Sequence, residues 1–254
     1  MLDVQNLAKS FGGVKALSDF NFKIGKGEIQ SIIGPNGAGK TTFFNLLTGV
    51  VKPTSGKIFF NNKSILKLQP HEITSHGIAR TFQNLRLFPE MAVIENVMVG
   101  GSLRLKSGVF GAIFKPPRTI FEEKELIEKS LKILEFVGLK GKENYWAKNL
   151  PYGNQKRLEI GRALATEPDL LLLDEPAAGM NPIETASLIK LINQIRDKGI
   201  SILIIEHDMK LVMNISEKIT VLDYGEKIAE GIPSEIQQNE KVVRAYLGGV
   251  LKNA

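Results

Sequence analysis

Short apolar runs and amphipathic stretches alternate through the second half of the chain. After residue 166, strand-like runs alternate with helical stretches in the order 169–176, 183–196, 200–207, 209–214 and 218–225. Apolar runs this short indicate buried strands, and their alternation with helices is typical of a parallel, doubly wound α/β sheet. Residues 1–33 instead hold three β-type runs separated by glycine-containing turns, which predicts a β-rich subdomain.

The middle of the chain has a helical pattern that interrupts this alternation. In residues 121–139 the apolar side chains recur at spacings of three and four, and Gly138 then ends the pattern. The predicted buried face of this helix consists of Leu126, Ile127, Leu131, Leu134 and Val137. Glycine and proline in residues 108–118 predict an exposed insert between helices.

We expect a single domain that spans residues 1–254. Its core consists of residues 1–84 and 167–254, and its helical subdomain occupies about 85–166. A chain of this length with 43% hydrophobic residues can bury a substantial core.

Composition and charge narrow the class of protein. The 254 residues include no cysteine, which excludes disulfides and thiolate metal sites. The formal net charge is +6, but lysine and arginine are spread along the chain without a dense basic patch, so we expect no nucleic-acid partner. No run approaches the ~18 apolar residues of a membrane span. Because Met1 leads directly into a strand-like run, we expect a cytoplasmic chain without a leader.

A glycine-rich sequence joins the predicted strand at residues 29–33 to a predicted helix that extends to about Leu47. Residues 34–42, GPNGAGKTT, match the phosphate-binding pattern G-x-x-x-x-G-K-[ST] in the strand–loop–helix context that it requires. Glycines let backbone N–H groups approach phosphates, Lys40 would reach the β- and γ-phosphates, and the Thr41 hydroxyl would bind Mg²⁺. The predicted ATP-binding residues here are Gly34, Pro35, Asn36, Gly37, Ala38, Gly39, Lys40, Thr41 and Thr42.

Two carboxylates follow the apolar run that ends at residue 173. Parallel α/β sheets bind their ligands at the carboxyl ends of the strands. Asp174 is therefore predicted to hold Mg²⁺, directly or through water, and Glu175 to act as general base on the attacking water. An Asp-Glu pair alone is usually a helix cap or a solvated turn. Together with the phosphate loop it indicates a phosphate-loop NTPase, without saying which kind.

Residues 150–168, LPYGNQKRLEIGRALATEP, narrow the kind of phosphate-loop NTPase. With the two motifs above, they make the chain similar to the ABC ATPase family along essentially its whole length. The stretch resembles the family's signature motif and helix, with Gly153 retained, although Pro151, Tyr152 and Asn154 stand where Ser, Gly and Gln are usual. The resemblance implies that these four residues contact ATP bound to a second subunit. It also implies a phosphate-loop NTPase (RecA-like) α/β core, an N-terminal antiparallel β-subdomain and a helical insertion that carries the signature.

The same resemblance implies roles for residues whose type alone says little. Gln83, in ARTFQN, matches the Q-loop, whose amide reaches Mg²⁺ or the attacking water, and His207, in IIEHD, matches the switch histidine that contacts the γ-phosphate. Phe11 resembles the aromatic residue that stacks on adenine, with Ala16 as a weaker neighbour, and a core position is the alternative for Phe11. Asn181 stands where Asp is usual in the D-loop. The predicted catalytic residues are thus Glu175, His207 and Gln83, and the predicted metal ligands are Thr41, Gln83 and Asp174.

Within the family, several stretches are most similar to the high-affinity branched-chain amino acid importer ATPases. They are residues 81–100, 108–117, 150–165, 174–182 and 227–249. The resemblance implies an ATPase with ATP and Mg²⁺ as cofactors. Its partners would be a second ABC ATPase subunit, identical or related, transmembrane permease subunits and, indirectly, a solute-binding protein. The chain would lie on the inner face of the cell membrane.

Alternatives to this function remain open at the level of sequence. An ABC transporter ATPase for urea or other amino acids is one of them. A soluble ABC ATPase that acts on DNA or the ribosome would carry long coiled-coil insertions or two tandem modules, which 254 residues do not hold. Pro151 and Asn154 make a non-hydrolysing module conceivable, and a small phosphate-loop kinase would lack the signature helix.

We also expect residues 86–118 to bind the membrane subunits. The apolar side chains Leu85, Leu87, Phe88 and Met91 follow Gln83 directly, and exposed apolar groups rimmed by charge are typical of interfaces. The alternative is that these side chains pack inside the helical insert.

Overall fold

A computed structural model describes residues 1–104 and 117–251, which form two β-sheets with helices around them. The strands are β1 (Leu2–Phe11), β2 (Val14–Ile24), β3 (Ile29–Ile33), β4 (Ser55–Phe60), β5 (Lys63–Ser64), β6 (Ile78–Arg80), β7 (Leu170–Asp174), β8 (Ser201–Ile205), β9 (Lys218–Asp223) and β10 (Glu226–Gly231). The helices are α1 (Lys40–Leu47), α2 (Pro70–Ser75), α3 (Val93–Gly101), α4 (Pro117–Phe136), α5 (Tyr152–Leu164), α6 (Pro182–Asp197), α7 (Met209–Ile215), α8 (Pro233–Gln238) and α9 (Glu240–Leu251).

The amino-terminal sheet is antiparallel, with strand order β2-β1-β4-β5. Along β1 the side chains of Leu2, Val4 and Leu7 are buried, while their neighbours are at least partly accessible, as expected for a strand with one face on the core. The predicted antiparallel β-subdomain is therefore confirmed.

The main sheet has the order β10-β9-β3-β8-β7-β6. The five strands from β9 to β6 are parallel, which confirms the predicted α/β class, and β10 adds an antiparallel edge that the alternation did not predict. Every residue of β3, β7 and β8 is buried because both faces of the sheet are covered. On one face Leu171 and Leu173 pack with residues of α3, α5 and α6, and on the other Leu170 and Leu172 pack with α1 and the antiparallel sheet.

The predicted buried face of α4 is partly wrong. Leu126 and Leu134 are buried, and so is Val137 just beyond the helix, but Ile127 and Leu131 are each 40% exposed. Ser130 is buried between Leu126 and Leu134. The buried stripe thus follows a spacing of four, and Ile127 and Leu131 lie one position to its side.

Close packing of the helices depends on a glycine. A Cβ on Gly100 of α3 would overlap the carbonyl oxygen of Arg162 on α5, so these helices approach more closely than a larger residue would allow. The predicted insert at 108–118 lies outside the described residues except for its last two, which begin α4. None of the helices within residues 1–104 and 117–251 combines the length and the apolar character needed to cross a bilayer.

Candidate ATP-binding site

The predicted phosphate loop connects β3 to α1 with the geometry of an anion site. Gly39 takes the cap position of α1 with φ of 105°, in the left-handed region that favours glycine. A Cβ on Gly39 would lie 2.5 Å from the carbonyl oxygen of Ala16, so no larger residue fits. Among the described residues no side chain caps this helix, and its first turn holds no acid. Its first N–H groups are therefore free to bind phosphate oxygens.

The Lys40 side chain is buried beneath this loop. Its Nζ donates to the carbonyl oxygens of Gly34 at 2.7 Å and Pro35 at 2.8 Å. Burial lowers the pKa of Lys40, and the negative charges of Glu175 and Asp174 offset part of that shift. Lys40 therefore links the loop electrostatically to both predicted carboxylates.

Asp174 lies at the carboxyl end of β7 in a buried ion pair that sequence reasoning missed. Arg80, at the end of β6, donates from Nη2 to Asp174 Oδ2 over 2.7 Å. Its Nη1 donates to Asn45 Oδ1 on α1, also over 2.7 Å. Arg80 therefore ties the end of β7 to the helix of the phosphate loop. The sequence feature that could have indicated Arg80 is its position three residues before Gln83.

The oxygen donors at this edge suit Mg²⁺. Arg80 takes one carboxylate oxygen of Asp174 and leaves the second available. Thr41, in the first turn of α1, adds a hydroxyl oxygen, and Gln83 adds an amide oxygen. Mg²⁺ is commonly held by one or two such protein oxygens together with phosphates and waters. Thr41, Gln83 and Asp174 remain the candidate ligands.

The three predicted catalytic residues meet at the Glu175 carboxylate. Gln83 Nε2 donates to Oε2 over 2.9 Å, and His207 Nε2 lies 2.9 Å from Oε1, where it donates in the Nε2-protonated tautomer. The residues follow β6, β7 and β8, which are neighbours in the main sheet. Glu175 has φ of 48°, a costly conformation for this residue type that clusters at functional sites. Its N–H donates to the Ile205 carbonyl oxygen at 2.8 Å, which holds the turn in place.

Glu206 is a second residue that sequence reasoning missed. Its buried carboxylate accepts from the N–H groups of Ala177 and His207, each at 2.8 Å, and of Asp208 at 3.3 Å. One side chain therefore connects the loop after Glu175 to the loop that carries His207. The sequence feature that could have indicated Glu206 is its position directly before the histidine in IIEHD.

The predicted signature residues begin α5. Pro151 is the cap, Tyr152 is exposed, and Gly153 is buried so that a Cβ there would lie 2.7 Å from Glu184 Oε1. In the described part of the chain, no hydrogen bond or ion pair joins residues 151–154 to residues 34–42. The structure therefore does not bring these two sets together within one chain.

Asn181 has a structural role that accounts for its type. Its side-chain oxygen accepts from the N–H groups of Ile183 and Glu184, both at 3.0 Å, at the start of α6. Asn and Asp are about equally good at such a cap. The replacement of Asp in the D-loop therefore preserves the helix start.

Phe11 and Ala16 lie in the amino-terminal sheet. Phe11 is 49% exposed at the end of β1, which argues against the core alternative, and Lys9 Nζ lies 4.8 Å from its ring centre. The Ala16 carbonyl oxygen lies beside the phosphate loop, where a Cβ on Gly39 would clash with it. Adenine stacking on Phe11 stays a prediction.

Two family models and several known proteins are similar to this chain. The family model for "ABC transporter" matches residues 17–178, and that for "Branched-chain amino acid ATP-binding cassette transporter" matches residues 226–251. The chain is 47% identical over 249 residues to the high-affinity branched-chain amino acid transport ATP-binding protein LivG of Escherichia coli, with 98% of each chain covered.

Two solved structures show the same fold. The ADP conformation of an ATP-binding cassette of an ABC transporter is 36% identical, with a TM-score of 0.84 and 98% of each chain covered. A dimeric cassette in a post-hydrolysis state, bound to ADP and Pi, is 26% identical, with a TM-score of 0.78 and coverage of 92% of this chain and 99% of that one. Since the first family model spans more than half of the sequence and LivG matches nearly all of it, the chain belongs to the ABC transporter family.

Proposed function

We propose that this chain binds and hydrolyses ATP to drive uptake of branched-chain amino acids through separate transmembrane subunits. The observation that carries hydrolysis is the contact of Gln83 and His207 with the Glu175 carboxylate. The identity of the transported solute is supported by the name of LivG and by the family model that matches residues 226–251. The chain would lie on the inner face of the membrane.

The phosphate loop supplies binding, and Glu175 supplies proton transfer. The N–H groups at the start of α1 and the Lys40 ammonium hold the β- and γ-phosphates. Glu175 accepts a proton from water while the water oxygen attacks the γ-phosphorus and ADP departs. When bound at Thr41, Gln83 and Asp174, Mg²⁺ would neutralise charge that develops on the phosphates.

Gln83 and His207 act by exchanging partners. Gln83 donates to Oε2 of Glu175 in the structure, and His207 donates to Oε1 in its Nε2-protonated tautomer, so each carboxylate oxygen carries one hydrogen bond that competes with the attacking water. Once ATP is bound, His207 would turn to the γ-phosphate, and Gln83 would turn to the attacking water or, where Mg²⁺ is bound, help to hold it. Glu175 is then free to accept a proton.

A second ATPase subunit, identical or related, completes each site. Residues 151–154 have no bond to the phosphate loop of their own chain, and a dimeric relative with ADP and Pi supports contact across a pair. ATP then favours the closed pair and hydrolysis favours the open one, a population shift that the membrane subunits use.

Pro151→Ser is expected to change the rate of ATP hydrolysis by no more than ~10-fold. Serine adds at most one hydrogen bond to a charged phosphate, worth about 1.5–3 kcal/mol when fully formed, and we expect the geometry of the cap position to realise only part of it, no more than about 1.4 kcal/mol. The proline has φ of −52°, which serine adopts without strain, and Gly153 and the start of α5 stay intact. Phosphate release by the full-length variant measures the rate. Complete loss of turnover would show that the proline ring sets the local backbone.

The membrane subunits are expected to bind the surface around Arg86 and Phe88. Phe88 is 44% exposed, and its backbone is held by Asn96, whose side chain accepts from the Phe88 N–H at 2.9 Å and donates to its carbonyl oxygen at 3.1 Å. Leu87, by contrast, packs against the main core, so the alternative of internal packing applies to that residue. Residues 105–116 of the predicted docking segment lie outside the described residues.

Arg86→Glu and Phe88→Ser, made singly, are expected to leave ATP affinity of the isolated subunit within ~2-fold of the parent, because neither side chain belongs to the phosphate site. Both should weaken co-purification with the membrane subunits and abolish ATP-driven uptake. Normal assembly and transport by both variants would place the docking surface elsewhere. Unfolding of either variant in a thermal melt would favour internal packing instead.

The proposed solute is tested in vesicles that contain the chain with its membrane subunits and binding protein. Leucine, isoleucine and valine uptake should require internal ATP and Mg²⁺. Urea serves as the comparison solute. ATP-dependent uptake of urea without uptake of leucine would support the alternative importer.

A further inference from the structure

A buried arginine connects two elements that carry candidate ligands of Mg²⁺, α1 with Thr41 and β7 with Asp174. Arg80 donates from Nη1 to Asn45 Oδ1 on α1 and from Nη2 to Asp174 Oδ2, each over 2.7 Å. The side chain of Arg80 is 5% exposed and that of Asp174 is 3% exposed, and burial strengthens such bonds. We call Asn45, Arg80 and Asp174 the Arg80 bridge.

The bridge reaches α1 on the helix face that carries Thr41. Asn45 lies four residues after Thr41 and Thr48 lies seven after it, and these spacings place all three on one face of a helix. Arg80 Nη1 also donates to Thr48 Oγ1 over 3.4 Å. The guanidinium thus holds α1 one and two turns after Thr41, and its other nitrogen holds Asp174. A single side chain therefore spans the elements of two candidate ligands.

The guanidinium is held in place at a cost that packing alone would not require. Arg80 Cζ lies 5.4 Å from the ring centre of Phe44 and 5.0 Å from that of Phe82, within the range of cation–π attraction. Its Nε, however, is buried and has no hydrogen-bond partner among the described residues. Apolar residues in place of a buried ion pair are often as stable or more stable. An arginine here therefore points to a role beyond stability.

Arg80 also fixes the orientation of the Asp174 carboxylate. Oδ2 accepts from the guanidinium, and the Asp174 N–H donates to Thr81 Oγ1 over 3.3 Å, so both the side chain and the backbone are held. In residues 1–104 and 117–251, no group of three or more histidine and acidic side chains could hold a metal ion. An ion at this edge would thus depend on a few oxygens from separate elements. The spacing of those elements then decides how well an ion fits.

We propose that the Arg80 bridge sets the preference of the site for Mg²⁺ by fixing the spacing of Thr41 and Asp174. Mg²⁺ requires nearly ideal octahedral geometry with ligands at about 2.0–2.1 Å, whereas Ca²⁺ accepts irregular shells at about 2.3–2.6 Å. A fixed spacing therefore favours the smaller ion, and a loose spacing accepts both. Arg80 and Asn45 are positioning residues, and the inference rests on the proposed function because the ion binds together with ATP.

Arg80→Lys separates the spacing from the charge. Lysine keeps a positive charge beside Asp174, but its single nitrogen lacks the planar fork that bonds Asp174 and Asn45 together. Calorimetry compares the Mg²⁺ and Ca²⁺ complexes of a non-hydrolysable ATP analogue. We expect the parent to bind the Mg²⁺ complex at least ~10-fold more tightly than the Ca²⁺ complex, and Arg80→Lys to bind it no more than ~3-fold more tightly. The change should come mainly from weaker binding of the Mg²⁺ complex.

Asn45→Ala tests the other end of the bridge and leaves the ion pair of Arg80 with Asp174 in place. It should also reduce the preference for Mg²⁺ to ~3-fold or less. Adding Arg80→Lys to it should lower the preference by less than a further ~2-fold, because both changes break the same bridge. Arg157→Met is the matched control, since Arg157 is a partly buried arginine that binds Val137 and Ser187 instead. It should keep the ~10-fold preference even if the melting temperature falls.

The preference for Mg²⁺ in the folded variants decides the inference. The parent preference in both Arg80→Lys and Asn45→Ala would overturn it, and if Arg80→Lys does not fold, the parent preference in Asn45→Ala alone would overturn it. Equal affinity of the parent for the two complexes would also overturn it, while the proposed binding and hydrolysis of ATP would stand. A parent that binds neither complex would contradict the proposed function itself, and the inference with it.

Discussion

Glu175→Gln is expected to lower the rate of ATP hydrolysis by at least ~100-fold, since general-base catalysis typically contributes 10²–10⁴-fold. Glutamine has nearly the same shape but cannot accept the proton of the attacking water. It also adopts the same left-handed turn at φ of 48°, because the cost of that conformation is similar for both residues. The effect should therefore be on chemistry and not on folding.

ATP affinity of Glu175→Gln should stay close to that of the parent. The bonds of the phosphate loop and Lys40 do not involve Glu175, and loss of one negative charge near Lys40 favours binding of an anion. With hydrolysis blocked, ATP should trap the closed pair, which size-exclusion chromatography detects as a doubling of mass. Glu128→Gln, an exposed change on α4, is the control. Turnover at the parent rate would remove Glu175 from its proposed role.

Lys40→Ala is expected to weaken ATP binding by at least ~30-fold. Truncation of one partner of a buried, hydrogen-bonded charge pair costs about 2–5 kcal/mol, and each 1.4 kcal/mol is tenfold in affinity. Lys40 is 5% exposed, and its ammonium is the charge that faces both Asp174 and Glu175 from the phosphate loop. Without it, the two carboxylates would repel the phosphates.

Isothermal titration calorimetry with ATP measures the loss. Lys57→Ala, an exposed lysine on β4, is the matched control for the removal of one positive charge. Lys40→Arg should also bind poorly, because two short bonds to loop carbonyl oxygens leave no room for a guanidinium. An unchanged affinity of Lys40→Ala would place the phosphates elsewhere.

The local motifs were predictable because their geometry is encoded in a few adjacent residues. The phosphate loop needs Gly39 at its left-handed cap and Lys40 at the start of the helix, and Asp174 and Glu175 follow their strand directly. The contact of Gln83 with Glu175 has no such local code. It depends on the adjacency of β6 and β7, and the resemblance to a family gave Gln83 a role in the site without indicating its contact with Glu175.

The residues that were missed are those whose partners lie far away in sequence. Arg80 meets Asp174 because β6 lies beside β7, and Glu206 meets Ala177 because β7 lies beside β8. A charged residue at the end of an apolar strand gives no sign of its partner before the strand order is known. The apolar periodicity of α4 wrongly predicted that Ile127 is buried. The reason is related, because the periodicity does not show which edge of the apolar face of a helix meets the core.

The position of β3 in the main sheet has a consequence for biosynthesis. β3 pairs with residues 202–205 of β8 on one side and with residues 218–221 of β9 on the other, so its first edge stays open until β8 has been made and its second until β9 has been made. At ~5–20 residues per second, the roughly 190 residues after β3 take on the order of 10 s to translate. The antiparallel sheet, complete by Ser64, can form during that time. The newborn chain must therefore keep an apolar strand with unpaired edges from aggregating, and its nucleotide site cannot be complete before His207 has been made.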